Sequence, residues 1–112
     1  MTRLLSDPDD ETVFHFPDSL VLPPVHPGET LAGEMAARGL SANALALRLR
    51  VPANRLTEIV GGRRAISAET ALRIGRYFGT GAKFWVELQA QYDLAVAERD
   101  HGDTIVQDVT PA

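Results

Sequence analysis

The stretch that decides the fold is residues 40–64, LSANALALRLRVPANRLTEIVGGRR. Its first half carries apolar residues at the i, i+3, i+4, i+7 spacing of an amphipathic helix. These residues are Ala42, Leu45, Ala46 and Leu49. Ser41 stands just before them, where its side-chain oxygen suits the cap of a helix. The pattern therefore predicts a short helix that begins behind Ser41 and buries one face.

A second short helix is predicted in the other half of this stretch, from about Ala53 to Val60. Its buried side is formed by Leu56, Ile59 and Val60. Pro52 fits the cap or first turn, because a proline lacks the N–H that would have no partner there. Gly61-Gly62 ends the helix. The two helices are joined across Arg50-Val51-Pro52.

The exposed side of this second helix carries residue types that read base edges in a DNA major groove. They are Ala53, Asn54, Arg55, Thr57 and Glu58. A major groove about 12 Å wide admits one α-helix; asparagine can pair with adenine, arginine with guanine, and glutamate with cytosine, while threonine can touch a thymine methyl group. The residues alone are also compatible with an ordinary helical hairpin that has a solvated polar face, and two such faces with two arginines often occur by chance.

Phosphate contacts are predicted on either side of the reading helix. Ser41 begins the preceding helix, where free backbone N–H groups favour an anion. Asn43, in the first turn of that helix, is predicted as a further DNA contact. Arg63 and Arg64 follow the reading helix and suit phosphate clamping, which positions a protein without reading sequence. The predicted interface therefore divides into base readers and phosphate contacts.

Three more helices are predicted around this pair. The first opens at His26-Pro27-Gly28-Glu29 and ends at Arg38 before Gly39. The fourth begins behind Ser67, with Thr70 as its capping partner. Its predicted buried side is Ala71, Leu72, Ile74, Gly75 and Phe78. The fifth follows Gly79-Thr80-Gly81 and ends near Arg99. It carries on one side Phe84, Trp85, Leu88, Tyr92 and Ala95.

These predictions describe an all-α protein of five helices with two acidic ends. Residues 1–25 read as an extended acidic arm, 26–99 as the helical domain and 100–112 as a short C-terminal tail, either frayed or a strand added to a partner. Residues 27–83 carry nine basic and four acidic side chains, residues 1–26 one and five, and residues 84–112 one and six. A basic middle suits phosphate, whereas the acidic ends suit a basic partner; solvated faces are the plainer interpretation.

Composition excludes several other functions. The chain has no cysteine, which rules out disulfides and thiolate chemistry. It has no apolar run of membrane-spanning length and no secretory start, so we expect a cytoplasmic protein. The three histidines are far apart, so no metal is expected, and His26 is interpreted as part of the helix start. No catalytic motif is present, so we expect neither a cofactor nor an enzyme.

Residues 40–67 resemble the lambda-repressor-like (XRE) helix-turn-helix family. The matching positions are Leu40-Ser41, Leu45-Ala46, Leu49, Val51, Glu58-Ile59, Gly62-Arg63-Arg64 and Ile66-Ser67. Further phrases resemble the HigA antitoxins within that family, so that the likeness runs from about His26 to Tyr92. These phrases are His26-Pro27-Gly28-Glu29, Ala71-Leu72-Arg73, Tyr77-Phe78-Gly79-Thr80 and Phe84-Trp85-Val86-Glu87-Leu88-Gln89.

This resemblance implies an antitoxin of a type II toxin–antitoxin pair. Such a protein is a homodimer that binds a palindromic operator in its own promoter as an autorepressor, and it neutralises a HigB/RelE-like toxin that cleaves mRNA. For the toxin, the acidic ends and the apolar stretch Val13–Phe16 are the predicted contacts. Bound to DNA, the protein would be associated with the bacterial nucleoid.

Two positions depart from the family pattern, and they leave alternatives open. Ala42 stands where the family often has glutamine, and Arg50 occupies the turn position that is commonly glycine, where a positive φ favours a residue without a side chain. One alternative is a stand-alone transcriptional regulator without a toxin. The other is a protein-interaction module whose helix-turn-helix no longer binds DNA.

Overall fold

A computed structural model describes residues 23–112, and this part of the chain contains five α-helices and no strand. They are α1 (Pro27–Ala37), α2 (Ala42–Leu49), α3 (Ala53–Val60), α4 (Ala68–Phe78) and α5 (Ala82–Asp108). The predicted all-α class is therefore confirmed. The predicted acidic arm lies almost wholly outside the described residues, and the division into arm, domain and tail stays a prediction.

The start of α1 is built by the residues that the sequence indicated. His26 is the cap, and its Nδ1 accepts a hydrogen bond from the Gly28 N–H at 2.9 Å. Pro27 occupies the first turn, where its missing donor costs nothing. The imidazole also packs edge-on against the Tyr92 ring of α5. His26 thus fixes both the start of α1 and its position on α5.

The turn between α2 and α3 depends on an arginine in the left-handed region. Arg50 has φ 60° and ψ 48°, a conformation that costs residues with a side chain about 1–2 kcal/mol. Pro52 then caps α3 without a side-chain hydrogen bond. The family resemblance implied a positive φ at this turn position, and the backbone has one although the residue is arginine.

Helix α4 begins as expected at Ser67, whose Oγ accepts from the Thr70 N–H at 3.2 Å. Its Gly75 lies against the backbone of Gly81, so a side chain at this position would collide with the loop before α5. The prediction for Leu72 is wrong: 64% of this residue is exposed. The core side of α4 is centred on Ala71, Ile74 and Gly75, and Leu72 lies about 100° around the helix from Ala71.

Helix α5 is longer than the sequence indicated. It continues through Arg99 to Asp108, so the expectation of a frayed tail or strand is wrong for residues 100–108. Trp85 is fully buried and its Nε1 donates to the Thr80 Oγ1 at 2.8 Å. Phe84, predicted to pack on the same side, packs edge-on against Trp85 yet is 43% exposed.

One core unites the five helices, and its fully buried large side chains come from each of them. They include Leu31, Leu45, Leu56, Ile59, Ile74 and Trp85. Buried Gln89 of α5 accepts a hydrogen bond from the Ile66 N–H at 2.8 Å and donates one to Asp93. The α3–α4 loop is thereby held against α5, which fixes α3 relative to the rest of the molecule.

Candidate nucleic-acid interface

The solvent face of α3 carries three of the predicted base readers. Leu56 and Ile59 are buried, and Asn54, Thr57 and Glu58 lie on the opposite side or its edge because a helix turns 100° per residue. Asn54 and Thr57 are exposed, as is Ala53 in the first turn. The Thr57 hydroxyl donates to the Asn54 carbonyl at 3.1 Å. These side chains form one polar surface that a groove can receive.

Arg55 lies apart from that surface, although the sequence grouped it with the readers. Its guanidinium is 3.2 Å from a Glu69 carboxylate oxygen and 3.5 Å from the Thr70 Oγ1. Only 27% of its side chain is exposed. Arg55 therefore lies on the flank of α3 that faces α4, and it connects these two helices in the protein without DNA.

Glu69 is shared by two arginines, a contact that the sequence did not suggest. Its second carboxylate oxygen accepts from the Arg73 Nε at 2.7 Å, and Arg73 also donates to the Leu49 carbonyl at 2.9 Å. The Arg73 hydrogen bond and charge, aided by Arg55, hold the pKa of Glu69 below its ordinary value. Only the i, i+4 spacing of Glu69 and Arg73 is visible in the sequence. The network joins α4 to the C-terminal end of α2.

The predicted phosphate contacts lie at two places. At the start of α2, the Ser41 Oγ accepts from the Ala44 N–H at 3.0 Å, and Asn43 is exposed in the first turn. Beyond α3, Arg63 is exposed and the Arg64 Nε is 2.7 Å from Glu58. Arg64 borders the polar surface through Glu58, and α2, which begins behind Ser41, packs on α3. Arg64 and Glu58 partly neutralise each other when DNA is absent.

Metal sites and membrane-spanning helices were looked for in residues 23–112. This part of the chain holds no group of three or more histidine, cysteine, aspartate or glutamate residues that could hold a metal ion. Among the same residues, no helix combines the length and the apolar character needed to cross a membrane.

Two short packed helices, a tight turn and a polar outer face on the second helix define a helix-turn-helix protein.

Comparison with solved structures agrees with this class. The chain is similar to an addiction module antidote protein of the HigA family from Coxiella burnetii, with 46% identity and a TM-score of 0.79 over 81% of this chain and 100% of that one. It is also similar to the Pseudomonas aeruginosa antitoxin HigA, solved with the higBA promoter, with 44% identity and a TM-score of 0.77 over 79% of this chain and 97% of that one.

A relative in sequence is the virulence-associated protein I of Dichelobacter nodosus. It is 50% identical over 80 residues, which cover 70% of this chain and 74% of the relative. No family model matches the chain. The identities and coverage show that the chain belongs to the HigA family of helix-turn-helix antitoxins, so the resemblance stated from the sequence is confirmed.

Proposed function

We propose that this protein is an antitoxin that represses its own promoter by binding DNA and that neutralises a HigB/RelE-like, mRNA-cleaving toxin. The observation that carries the proposal is the polar outer face of α3, bordered by Arg63 and Arg64, in a chain of the HigA family. A related antitoxin was solved with its promoter. Action in the cytoplasm, on the nucleoid, follows from the same proposal.

The proposal assigns a role at the DNA surface to each side chain according to its position. Asn54, Thr57 and Glu58 meet base edges, with Ala53 at their margin, because they occupy the solvent face of α3. Ser41, Asn43, Arg63 and Arg64 bind phosphates. Arg55 positions α3 through Glu69 instead of reading a base, because its guanidinium is directed to α4. This differs from the role that the sequence pattern assigned to it.

Gel shifts on the upstream region of the gene, repeated over a series of salt concentrations, test these roles. Asn54→Ala should cost about 1–3 kcal/mol and relax preference at one base pair, whereas Arg63→Ala should weaken binding to all sequences and reduce the salt slope by about one. Arg55→Ala should leave base preference unchanged. Lys83→Ala on α5 is the control, because it removes one exposed charge away from α3.

Three outcomes would contradict these roles. Base preference that is unchanged by Asn54→Ala places the reading face elsewhere on α3. If Arg55→Ala alone relaxes preference, Arg55 leaves Glu69 on binding and reads a base, as the sequence first indicated. If the full chain shows no preference for its own upstream region at any salt concentration, specific DNA binding is ruled out.

A homodimer is part of the proposal, and α5 offers the surface for it. Leu94 and Ile105 are 61% and 52% exposed and lie three turns apart on the side opposite buried Trp85 and Gln89. All but one of the residues from Ala97 to Asp108 are exposed, and an isolated helix of such length is marginal in water. A palindromic operator requires two reading helices about 34 Å apart and therefore two copies of the chain, and we assign the exposed apolar face of α5 to the contact between them.

Toxin neutralisation rests on the family and on charge. Residues 1–26 carry five acidic side chains and one basic, and the proposed toxin is basic. The stretch Val13–Phe16, the proposed anchor, lies outside the described residues. The test is to express the neighbouring small gene in cells, alone and together with this protein. We expect the neighbouring gene to stop growth when it is expressed alone and this protein to restore growth. If the neighbouring gene is harmless alone, or is still toxic in the presence of this protein, toxin neutralisation is contradicted and the protein is a stand-alone transcriptional regulator.

A further inference from the structure

A basic cleft lies between the C-terminal end of α2 and the second half of α4. It is lined by Arg48, Leu49, Arg73, Arg76 and Tyr77 and encloses about 620 Å³. Three guanidinium groups therefore surround one depression. No part of the proposed DNA interface includes these residues.

Two of the three guanidinium groups are available to an anion. Arg73 already contacts Glu69 and the Leu49 carbonyl. Arg48 donates to the Tyr77 hydroxyl at 3.2 Å, and both Arg48 and Arg76 are exposed. Within residues 23–112, no carboxylate lies within ion-pair distance of either residue. Arginine recognises a carboxylate through paired N–H donors, which makes the cleft suited to acidic side chains.

The position of the cleft disfavours operator DNA as its occupant. The first turn of α4 is the part that contacts α3, through Glu69 and Thr70. Arg76 lies seven residues further along α4, which is two turns or about 10 Å. Arg48 likewise lies near the C-terminal end of α2, whereas Ser41, a proposed phosphate contact, caps the N-terminal end of the same helix. The cleft is therefore displaced from the reading surface along both helices.

The chain itself carries an anion of the right kind. Residues 7–11 read DPDDE, with four carboxylates in five residues. Pro23 lies twelve positions after Glu11, and a chain of that length spans up to about 40 Å, which is comparable with the 42 Å intermediate extent of the described part of the chain. Attachment in the same chain also gives the segment an effective concentration in about the millimolar range.

We propose that the basic cleft, defined by Arg48, Arg73, Arg76 and Tyr77, binds the acidic segment of residues 7–11 of the same chain. Carboxylates of the segment pair with Arg48 and Arg76, while Arg73 stays with Glu69 as part of the scaffold. The segment leaves the cleft at high salt, because the Debye length falls from about 8 Å at physiological ionic strength to 3 Å at 1 M. A basic toxin would compete for the same carboxylates.

The absence of cysteine allows a spin label to be placed at one position of the full chain. Ser6→Cys carries a nitroxide next to the acidic segment without removing a carboxylate. The expected result is loss of the amide signals of Arg48, Arg76 and Tyr77, with no loss at residues 97–108. Addition of 1 M salt should restore the lost signals. Unchanged signals around the cleft at low salt overturn the proposal.

Charge variants identify the occupant. Arg48→Gln with Arg76→Gln should restore the signals, as should neutralising the segment with Asp7→Asn, Asp9→Asn, Asp10→Asn and Glu11→Gln. Arg63→Gln with Arg64→Gln removes the same charge beyond α3 and should restore nothing; if it does restore them, the segment binds the DNA surface instead. A dispersed amide spectrum shows that each variant is folded.

Operator DNA is examined separately with the same cleft variant. Arg48→Gln with Arg76→Gln should leave the salt slope of operator binding equal to that of the unmodified chain. A slope reduced by about one or more, the effect of losing a phosphate contact, would assign the cleft to DNA and overturn the proposal. Because the label experiment contains no DNA, its outcome is independent of the proposed repressor function.

Discussion

At the scale of single residues, Gly28 shows how closely α1 and α3 approach each other. A Cβ at this position would collide with the Ile59 carbonyl at the end of α3. Gly33, five residues further along the same helix, has nothing within 4 Å of the corresponding point. Substituting Gly33 therefore measures only the entropic cost of a glycine within a helix, whereas substituting Gly28 also measures the cost of a steric collision with α3.

Substitution of these two glycines should have opposite effects. Gly33→Ala should raise the free energy of unfolding by roughly 0.5–1 kcal/mol, because glycine loses more backbone entropy in a helix than alanine. Gly28→Ala should lower it by roughly 1–3 kcal/mol, the usual cost of overpacking. Urea denaturation followed by the Trp85 fluorescence measures both. A stabilised Gly28→Ala would show that α1 moves away from α3 without loss of packing.

Arg50 presents the reverse situation, since a side chain occupies a backbone conformation that favours glycine. Arg50→Gly should stabilise the protein by up to about 1 kcal/mol: relief of about 1–2 kcal/mol of left-handed strain is partly offset by greater freedom of the unfolded chain. Thermal unfolding measures the change, with Arg50→Ala as the variant that removes the charge and keeps the strain. Equal stability of the two variants would mean that the strain is no larger than the entropy that glycine adds to the unfolded chain; a less stable Arg50→Gly would mean that the strain is negligible.

At the scale of elements, the Glu69 network holds α4 against both helices of the helix-turn-helix. The pKa of the Glu69 carboxyl group lies below the ordinary value of 4.5, chiefly because of the hydrogen bond from Arg73. A group whose pKa is lowered on folding contributes stability above its unfolded value. That contribution is lost as the pH falls through the folded value.

Glu69→Gln should therefore destabilise the protein at neutral pH and make no difference in sufficiently acidic solution. The difference in the free energy of unfolding between the two proteins should shrink as the pH falls below 4.5. Denaturant titrations across this range measure it. Glu98→Gln removes the same charge from the exposed part of α5 and serves as control. A Glu69→Gln effect that is constant with pH would assign the cost to packing.

At the scale of the whole molecule, half of α5 projects past the core with a partly apolar face. In the proposed dimer the contact is isologous, so each substitution acts twice. Leu94→Glu should weaken dimerisation by roughly 3 kcal/mol or more, about a hundredfold, because two leucines lose their burial. Analytical ultracentrifugation measures the association. Gln107→Glu adds the same charge on another face of α5 and should have little effect.

A different result would reassign this face. If Leu94→Glu remains dimeric but no longer suppresses toxicity in the co-expression test, the exposed face of α5 belongs to the toxin. Loss of both properties would indicate that toxin binding requires the dimer. Separate measurement of association and growth therefore distinguishes the two occupants of the surface.

The sequence determined the parts of this protein that depend on neighbours along the chain. Ser41 and Ser67 cap their helices, His26 and Pro27 begin α1, and Gly79 ends α4 with a positive φ, because capping and apolar periodicity act within one or two turns. The end of α5 was missed because Gly102 only weakens a helix, by about 1 kcal/mol. Nothing else in residues 99–108 breaks one.

Only the tertiary structure decided which side chains the α3 surface offers. Arg55 and Glu69 are 14 residues apart and belong to different helices, and only the tertiary structure brings their side chains to 3.2 Å, which directs Arg55 towards α4 in the protein without DNA. The arrangement of the helices also left Leu72 exposed and brought Arg48 of α2 and Arg76 of α4 to one cleft. Periodicity identifies a helix and its apolar side, whereas contacts across elements depend on how the helices pack.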